Sequence, residues 1–178
     1  LDPVSIALTI DELKPWAVVN CAGYVDVDRA EKERLECMQI NAEAPRLMAE
    51  ACRRMGLPFM TFSTDLVFNG EKTNPYTETD LVHPLNIYGQ SKAIAEEKVL
   101  NSYPGSLVIR SSAFFGPWDK YNFVYSVLRS MERSTVLELP GDVVVSPTYL
   151  PDLVHASLDL LIDGARGIWH LANNGYVS

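Results

Sequence analysis

Short apolar runs alternate along the chain with segments of helical period, and this alternation restricts the fold more than any other feature. Trp16-Ala17-Val18-Val19-Asn20-Cys21-Ala22 is rich in valine, and Leu57 to Phe62, Ser106-Leu107-Val108-Ile109-Arg110 and Gly167 to Leu171 follow the same plan. Runs without polar alternation suit strands covered on both faces, as in a parallel sheet. Gly23 permits a tight turn after the first run. Asp28 to Met55 is helical in pattern, and Pro45 divides it into two helices or kinks one, since proline fits a first turn but not an interior. Gly56 and Pro58 stop it. Asn69 to Pro84 is a turn-rich loop with Gly70, Pro75 and Pro84. Tyr88 to Leu100 is amphipathic, with Ile94, Ala95, Val99 and Leu100 as core contacts. Asn122 caps an amphipathic segment to Arg133 that carries Phe123, Val124, Val127, Leu128 and Met131. Val136 to Leu139 is a further short-strand candidate, and Pro151 to Ile162 a helix. The pattern predicts an α/β fold with a doubly wound parallel sheet, not a sandwich or a bundle.

Composition narrows the function classes. At 178 residues, 47% hydrophobic and 21% charged, the chain supports one domain with a substantial core and excludes extensive disorder. A net charge of -8 without a basic cluster argues against phosphate-based binding of nucleic acid. Cys21, Cys37 and Cys52 are odd in number and lack metal-ligand spacing, so buried free thiols in a reducing compartment are expected. His83, His155 and His170 are scattered, which disfavours a metal site. No apolar run approaches the roughly 20 residues that span a bilayer, and no signal peptide opens the chain. A cytoplasmic protein that binds neither membrane nor nucleic acid is expected.

The chemistry is concentrated in Tyr88-Gly89-Gln90-Ser91-Lys92, downstream of Ser63-Thr64-Asp65. Helical residues four apart share a face, so the Lys92 ammonium can approach the Tyr88 phenol and favour its ionised form. A hydroxyl such as Thr64 completes a set suited to proton transfer at a carbonyl oxygen. Taken alone, a Tyr/Lys pair is more often a half-buried aromatic beside a solvated lysine. Here Met60 to Asp65 reads as a buried strand ending in polar residues, where open α/β sheets place their sites.

These residues together resemble the extended short-chain dehydrogenase/reductase superfamily, and most closely its dTDP-4-dehydrorhamnose reductase branch. The matching stretches are Val19-Asn20-Cys21-Ala22-Gly23-Tyr24, Val27-Asp28-Arg29-Ala30-Glu31 and Asn41-Ala42-Glu43-Ala44-Pro45. They continue through Ser63 to Gly70, Tyr76-Thr77-Glu78, Pro84 to Lys92 and Ser146-Pro147-Thr148-Tyr149, in order over nearly the whole chain. The resemblance implies a Rossmann-like, NAD(P)-binding fold and reduction of a nucleotide-linked 4-keto sugar with NADP or NAD as cofactor. Tyr88 would donate a proton to the keto oxygen, Lys92 would lower the tyrosine pKa and bind the nicotinamide ribose, and Thr64 would hydrogen-bond the keto oxygen. Cofactor neighbours would be Cys21, Ala22, Gly23, Tyr24, Ser63 and the turn from Ser112 to Phe115. Asp65, Phe68 and Trp118 are implied substrate contacts.

Each of these has a plainer reading. Gly23 can simply end a strand, Asp65 can cap a turn, Tyr24 and Phe68 can be packing residues, and Trp118 can cover an interface. Asp28 and Glu31 read as a solvated helix start. The branch also has features this chain departs from. No Gly-x-x-Gly-x-x-Gly occurs, and the chain begins near the family's middle strand and stops before its C-terminal helices. A single Rossmann-like domain over 1–178 is expected, the central part of a longer reductase, with the start of a substrate-binding portion near 113–178. Ala113 stands where the branch commonly carries tryptophan. That departure keeps open a noncatalytic regulatory subunit of the same fold. A nucleotide-sugar epimerase or dehydratase is a further alternative, although Asp65-Leu66 fits the reductase pattern better. A homodimer is an open arrangement.

Overall fold

A computed structural model describes residues 2–118, 122–136 and 143–177. The central sheet has four parallel strands in the order β1 (Val18–Asn20), β2 (Phe59–Thr64), β3 (Leu107–Ser111) and β6 (Gly167–His170). Helix α1 (Pro3–Leu13) precedes β1, and its N-cap Asp2 accepts bonds from the backbone of Val4 and Ser5. Between β1 and β2 lie α2 (Val27–Ala30), α3 (Arg34–Met38), a π-helical turn (Gln39–Glu43) and α4 (Ala44–Met55). The long helix α5 (Ile87–Ser102) joins β2 to β3, and α7 (Leu150–Ile162) leads to β6. Helix α6 (Phe123–Arg133) follows β4 (Phe114–Phe115), which pairs in parallel with β5 (Thr148–Tyr149) as a separate small sheet.

Side chains alternate across the strands, and both faces of the sheet are covered. On one face Phe59 and Val108 pack with Ile10 of α1, Ala49 and Cys52 of α4 and Val99 of α5. On the other Met60, Leu107 and Ile109 pack against Leu153 and Leu161 of α7. Each large apolar side chain so buried contributes about 1.5–3 kcal/mol relative to exposure. This two-sided burial makes the sheet doubly wound, as the apolar strand runs predict, and the fold is of the Rossmann-like α/β kind.

The differences from the sequence reading are local. Strand β1 is shorter than the apolar run that contains it, because pairing with β2 ends at Asn20 and Thr61. Cys21 therefore lies beyond the ladder and is exposed, whereas Cys37 and Cys52 are buried as expected. Pro45 follows a π-helical turn inside helical backbone that runs unbroken from Arg34 to Met55, so the proline marks an irregularity in one helix, and the break between helices lies earlier, between Ala30 and Arg34. Of the α5 core contacts, Ile94 is 36% exposed while Ala95 and Val99 are buried. Asn122 caps α6 by accepting from the Tyr125 backbone at 2.9 Å. Most of the strand expected over Val136 to Leu139 lies outside the described residues.

Candidate active site

Thr64 is the last residue of β2, and Tyr88 and Lys92 lie in the first two turns of α5, which packs against β2 and the turn that follows it. Asn86 caps α5 by accepting from the Gly89 backbone at 2.7 Å. Glu31 accepts from the Ile87 backbone at 2.8 Å, which satisfies another free donor of the first turn. Glu31 is exposed, as its reading as a solvated residue expects, but it sits at the C-terminal end of α2 and ties that helix to α5 rather than starting a helix. Gly89 allows α5 to lie against the 3-10 turn Asp65–Val67, since a Cβ there would stand 2.2 Å from the Leu66 carbonyl oxygen. This close approach brings Tyr88 of the first turn beside the end of β2.

The Lys92 ammonium stands 5.9 Å from the Tyr88 ring centroid and donates to the Phe62 carbonyl at 3.2 Å. Burial pushes the Tyr88 phenol up to about 12, with Asp65 and Cys37 adding to the shift. Burial also lowers Lys92, opposed by Cys37 and Glu96. The direction for Tyr88 is opposite to the expected lowering. In this arrangement Lys92 bonds a carbonyl rather than the phenol, and desolvation dominates. Tyr88 therefore holds its proton at neutral pH, as a proton donor must.

Buried Thr64 accepts from the Leu66 backbone at 3.2 Å and donates to Asp65 Oδ1 at 3.1 Å. Thr64 thus caps the 3-10 turn, while the other Asp65 oxygen accepts from Ser112 Oγ. Asp65 joins the end of β2 to the residue after β3, and the Ser112 hydroxyl is committed to that tie. The Ser63 hydroxyl is likewise committed: it is buried and donates to Glu96 Oε1 at 2.5 Å.

Around Gly23 the chain runs close to the site. A Cβ on Gly23 would lie 3.2 Å from Asn41 Oδ1 and 3.5 Å from Lys92 Nζ. Asn41, on the π-helical turn, accepts from the Tyr24 backbone at 2.8 Å and donates to the Tyr24 carbonyl at 3.0 Å. It also donates to Ser91 Oγ at 2.9 Å. One amide thus fastens the segment after β1 to α5. The Tyr24 hydroxyl donates to Glu33 at 2.7 Å, and its ring packs against the Ala30, Cys37 and Ile87 cluster. Cys21 and Ala22 are exposed beside it.

Phe68 is buried in packing. It stacks on Tyr76 with centroids 4.1 Å apart, meets His170 edge-on at 5.8 Å and carries the Arg110 guanidinium at 5.0 Å. Glu78 accepts from the His170 backbone at 2.9 Å, so the loop after β2 is tied to the end of β6. Trp118 is 76% exposed, and the described contacts do not join it to Thr64, Tyr88 or Lys92. A cleft of about 700 Å³ lined by Asn69, Glu71, His83, Leu85 and Gln90 opens nearby, but its lining includes none of those three residues.

Asn41, Glu96, Arg110, Glu78 and His170 carry much of this scaffold and were given no role by sequence reasoning. Two signals were available. Arg110 interrupts an apolar buried strand and so requires a partner, and Glu96 lies four residues after Lys92 on the same helix face. Among the described residues, no group of three or more His, Cys, Asp or Glu is arranged to hold a metal.

A family model described as the RmlD substrate binding domain matches residues 1–178. The dTDP-4-dehydrorhamnose reductase of Aggregatibacter actinomycetemcomitans is 35% identical over 175 residues, covering 95% of this chain and 59% of that protein. The spore coat polysaccharide biosynthesis protein SpsK of Bacillus subtilis is 36% identical over 177 residues, covering 99% of this chain and 62% of that protein. The crystal structure of dTDP-4-dehydrorhamnose reductase from Bacillus anthracis in complex with NADP superposes with a TM-score of 0.94 at 32% identity. That superposition covers 99% of this chain and 63% of that one. The chain thus spans 59% to 62% of the length of these curated relatives. With the family model matched over its whole length and relatives 35% and 36% identical, the chain belongs to the RmlD substrate-binding-domain family.

Proposed function

We propose that the protein bearing this chain reduces a nucleotide-linked 4-keto sugar with NADPH or NADH, in the manner of dTDP-4-dehydrorhamnose reductase. The observation that carries this reading is the Lys92 ammonium set 5.9 Å from the ring of buried Tyr88, on the helix that packs against the end of β2 at Thr64. The names of the relatives and the NADP in the Bacillus anthracis structure support it.

The residues present fit the nicotinamide end of such a cofactor. Cys21 and Ala22 are exposed at the C-terminal end of β1, and Gly23 offers bare backbone beside the Lys92 ammonium. Cys21, Ala22, Gly23, Tyr24 and Lys92 would hold it, while Ser63 and Ser112 support from beneath through their ties to Glu96 and Asp65. When bound, the cofactor supplies a hydride to the keto carbon. Tyr88 gives its proton to the keto oxygen, so the carbonyl becomes an alcohol and a phenolate remains. Thr64 stands by to donate to the same oxygen once its bond to Asp65 is exchanged. The Lys92 charge favours the phenolate that proton donation leaves. Asp65 and Trp118 are read as substrate contacts, and Phe68 as the packed support behind them. Residues 113–178 are read as the start of the substrate-binding portion within one Rossmann-like domain. The net charge of -8 speaks against nucleic acid as a partner, and no helix among the described residues is long and apolar enough to cross a membrane. A cytoplasmic homodimer is the arrangement to test by sedimentation.

The test is turnover of dTDP-4-dehydrorhamnose by the full-length protein, followed as NADPH or NADH consumption, with Tyr88→Phe as the variant. The expected result is turnover that falls by about 10²-fold or more in Tyr88→Phe. Cofactor binding without turnover of any nucleotide sugar, or copurification with a second enzyme that it activates, would replace this reading by the regulatory one.

A further inference from the structure

The helix face that carries Tyr88 and Lys92 continues to Glu96, a further four residues on, and this residue is 4% exposed. Its carboxylate is fully engaged. Oε1 accepts from Ser63 Oγ at 2.5 Å and Arg110 Nε at 2.8 Å, and Oε2 accepts from Arg110 Nη2 at 2.6 Å. Ser63 and Arg110 are partners across the β2–β3 ladder, so one carboxylate spans both strands from the helix above. Lys92 grips the neighbouring residue of β2 through the Phe62 carbonyl. Lys92 and Glu96 thus clasp consecutive residues of β2, immediately before Thr64. The remaining Arg110 nitrogen, Nη1, lies 3.2 Å from His170 Nε2, and its guanidinium lies over Phe68.

We propose that Glu96 is a positioning residue for the reduction, setting the spacing between Thr64 on β2 and Tyr88 and Lys92 on α5 through its joint hold on Ser63 and Arg110. A buried ion pair is weak evidence for stability, because desolvation offsets most of its attraction. A hydrophobic trio would fill this space without that cost. What the carboxylate adds is direction: three charge-assisted bonds fix the helix against two strands within the tolerance that proton transfer requires. Glu96 also places a negative charge one turn from Lys92. The charged or titratable groups that face Lys92 are Tyr88 and Glu96 on its own helix and Cys37 on α3, with Asp65 beyond Tyr88 and Arg110 beyond Glu96. Loss of the Glu96 charge leaves Arg110 uncompensated and makes the Lys92 ammonium easier to deprotonate.

This inference rests on the reductase reading, and two variants of the full-length protein separate the two. Glu96→Gln keeps the shape but not the charge. Ser63→Ala removes one hydroxyl and leaves the ion pair whole, which keeps the test valid if Glu96→Gln folds poorly. Rates are normalised to the folded fraction measured by circular dichroism. In Glu96→Gln, kcat is expected to fall about tenfold to a hundredfold with KM for the sugar nucleotide little changed, and Ser63→Ala to show a smaller loss of the same kind. The alkaline limb of the kcat/KM profile is expected to move to lower pH in Glu96→Gln but not in Ser63→Ala. Glu96→Asp is expected to recover part of the rate. The Lys92 13Cε resonance gives a readout without turnover, and its titration is expected at lower pH in Glu96→Gln. Wild-type kcat in both folded variants, or an unmoved Lys92 titration, overturns the proposal. An unsubstituted protein that turns over no 4-keto sugar overturns the reductase reading instead, and the Lys92 titration then still decides the role of Glu96 toward that residue.

Discussion

Replacing Gly89 by alanine tests how the site is held together. In an open helix interior this change stabilises by about 0.8–1.0 kcal/mol, because glycine is the poorer helix former. Here the added Cβ would stand 2.2 Å from the Leu66 carbonyl oxygen, 3.1 Å from its carbon and 3.0 Å from Pro84 Cβ. A carbon and an oxygen in ordinary contact need about 3.3 Å or more, so the pair must separate by roughly 1 Å. Both sides resist: Leu66 is backbone in a 3-10 turn capped by Thr64, and α5 is fixed by Asn86 and Glu31. Overpacking of this kind costs about 1–3 kcal/mol and outweighs the propensity gain. Gly89→Ala should therefore lower the unfolding free energy by up to about 2 kcal/mol, seen as a lower urea midpoint at unchanged m-value or a melting temperature lower by about 2–4 °C per kcal/mol. Because the displacement separates Thr64 from Tyr88, kcat should fall by more than the loss of folded protein explains. A variant as stable as the parent, or more stable, would show that helix propensity governs this position and that α5 does not depend on its approach to Leu66.

Further predictions follow from the same contacts. Burial lowers the His170 pKa, with Arg110 acting in the same sense and Glu78, the Tyr76 backbone and Glu96 opposing. Between the folded value and the unfolded value near 6.5 the unfolded chain binds more protons, so stability is present above that pH and is lost as pH falls through the interval. His170→Gln should flatten that part of the stability profile; an unchanged slope would exclude His170 as its source. Asn41→Ala leaves the Tyr24 backbone unpaired and should cost about 1–3 kcal/mol by chemical denaturation, with faster amide exchange at Tyr24. Asn86→Ala removes the cap of α5 and should cost about 1 kcal/mol, seen as a shifted denaturation midpoint.

The fold was legible because each buried strand is an apolar run and each helix between has its own stop. Pro45 and Gly56 mark the ends of α4, and the apolar strand runs announce a sheet covered on both faces. The Tyr88/Lys92 pair was legible because it depends only on helical spacing. Contacts set by register between distant segments were not. Glu96 meets Arg110 only because α5 crosses the ladder where Ser63 faces Arg110, and Glu31 reaches Ile87 across 56 positions. Cys21 reads as part of an apolar strand, yet the ladder ends one residue earlier and exposes it. The upward shift of Tyr88 was not legible for a similar reason, since spacing reveals neither the burial of the phenol nor that Lys92 bonds a carbonyl on β2. Strands β4 and β5 are two residues each, too short to leave a periodic signal.

The most direct test of the reductase reading is label transfer from NADPH or NADH, deuterated at both hydrogens of nicotinamide C4, to dTDP-4-dehydrorhamnose by the full-length protein, read by mass spectrometry of the sugar product. The account predicts deuterium on the former keto carbon, and near-complete loss of labelled product in Tyr88→Phe with NADPH binding retained. Unlabelled sugar from the unsubstituted protein, or labelled product at the parent rate from Tyr88→Phe, would contradict it.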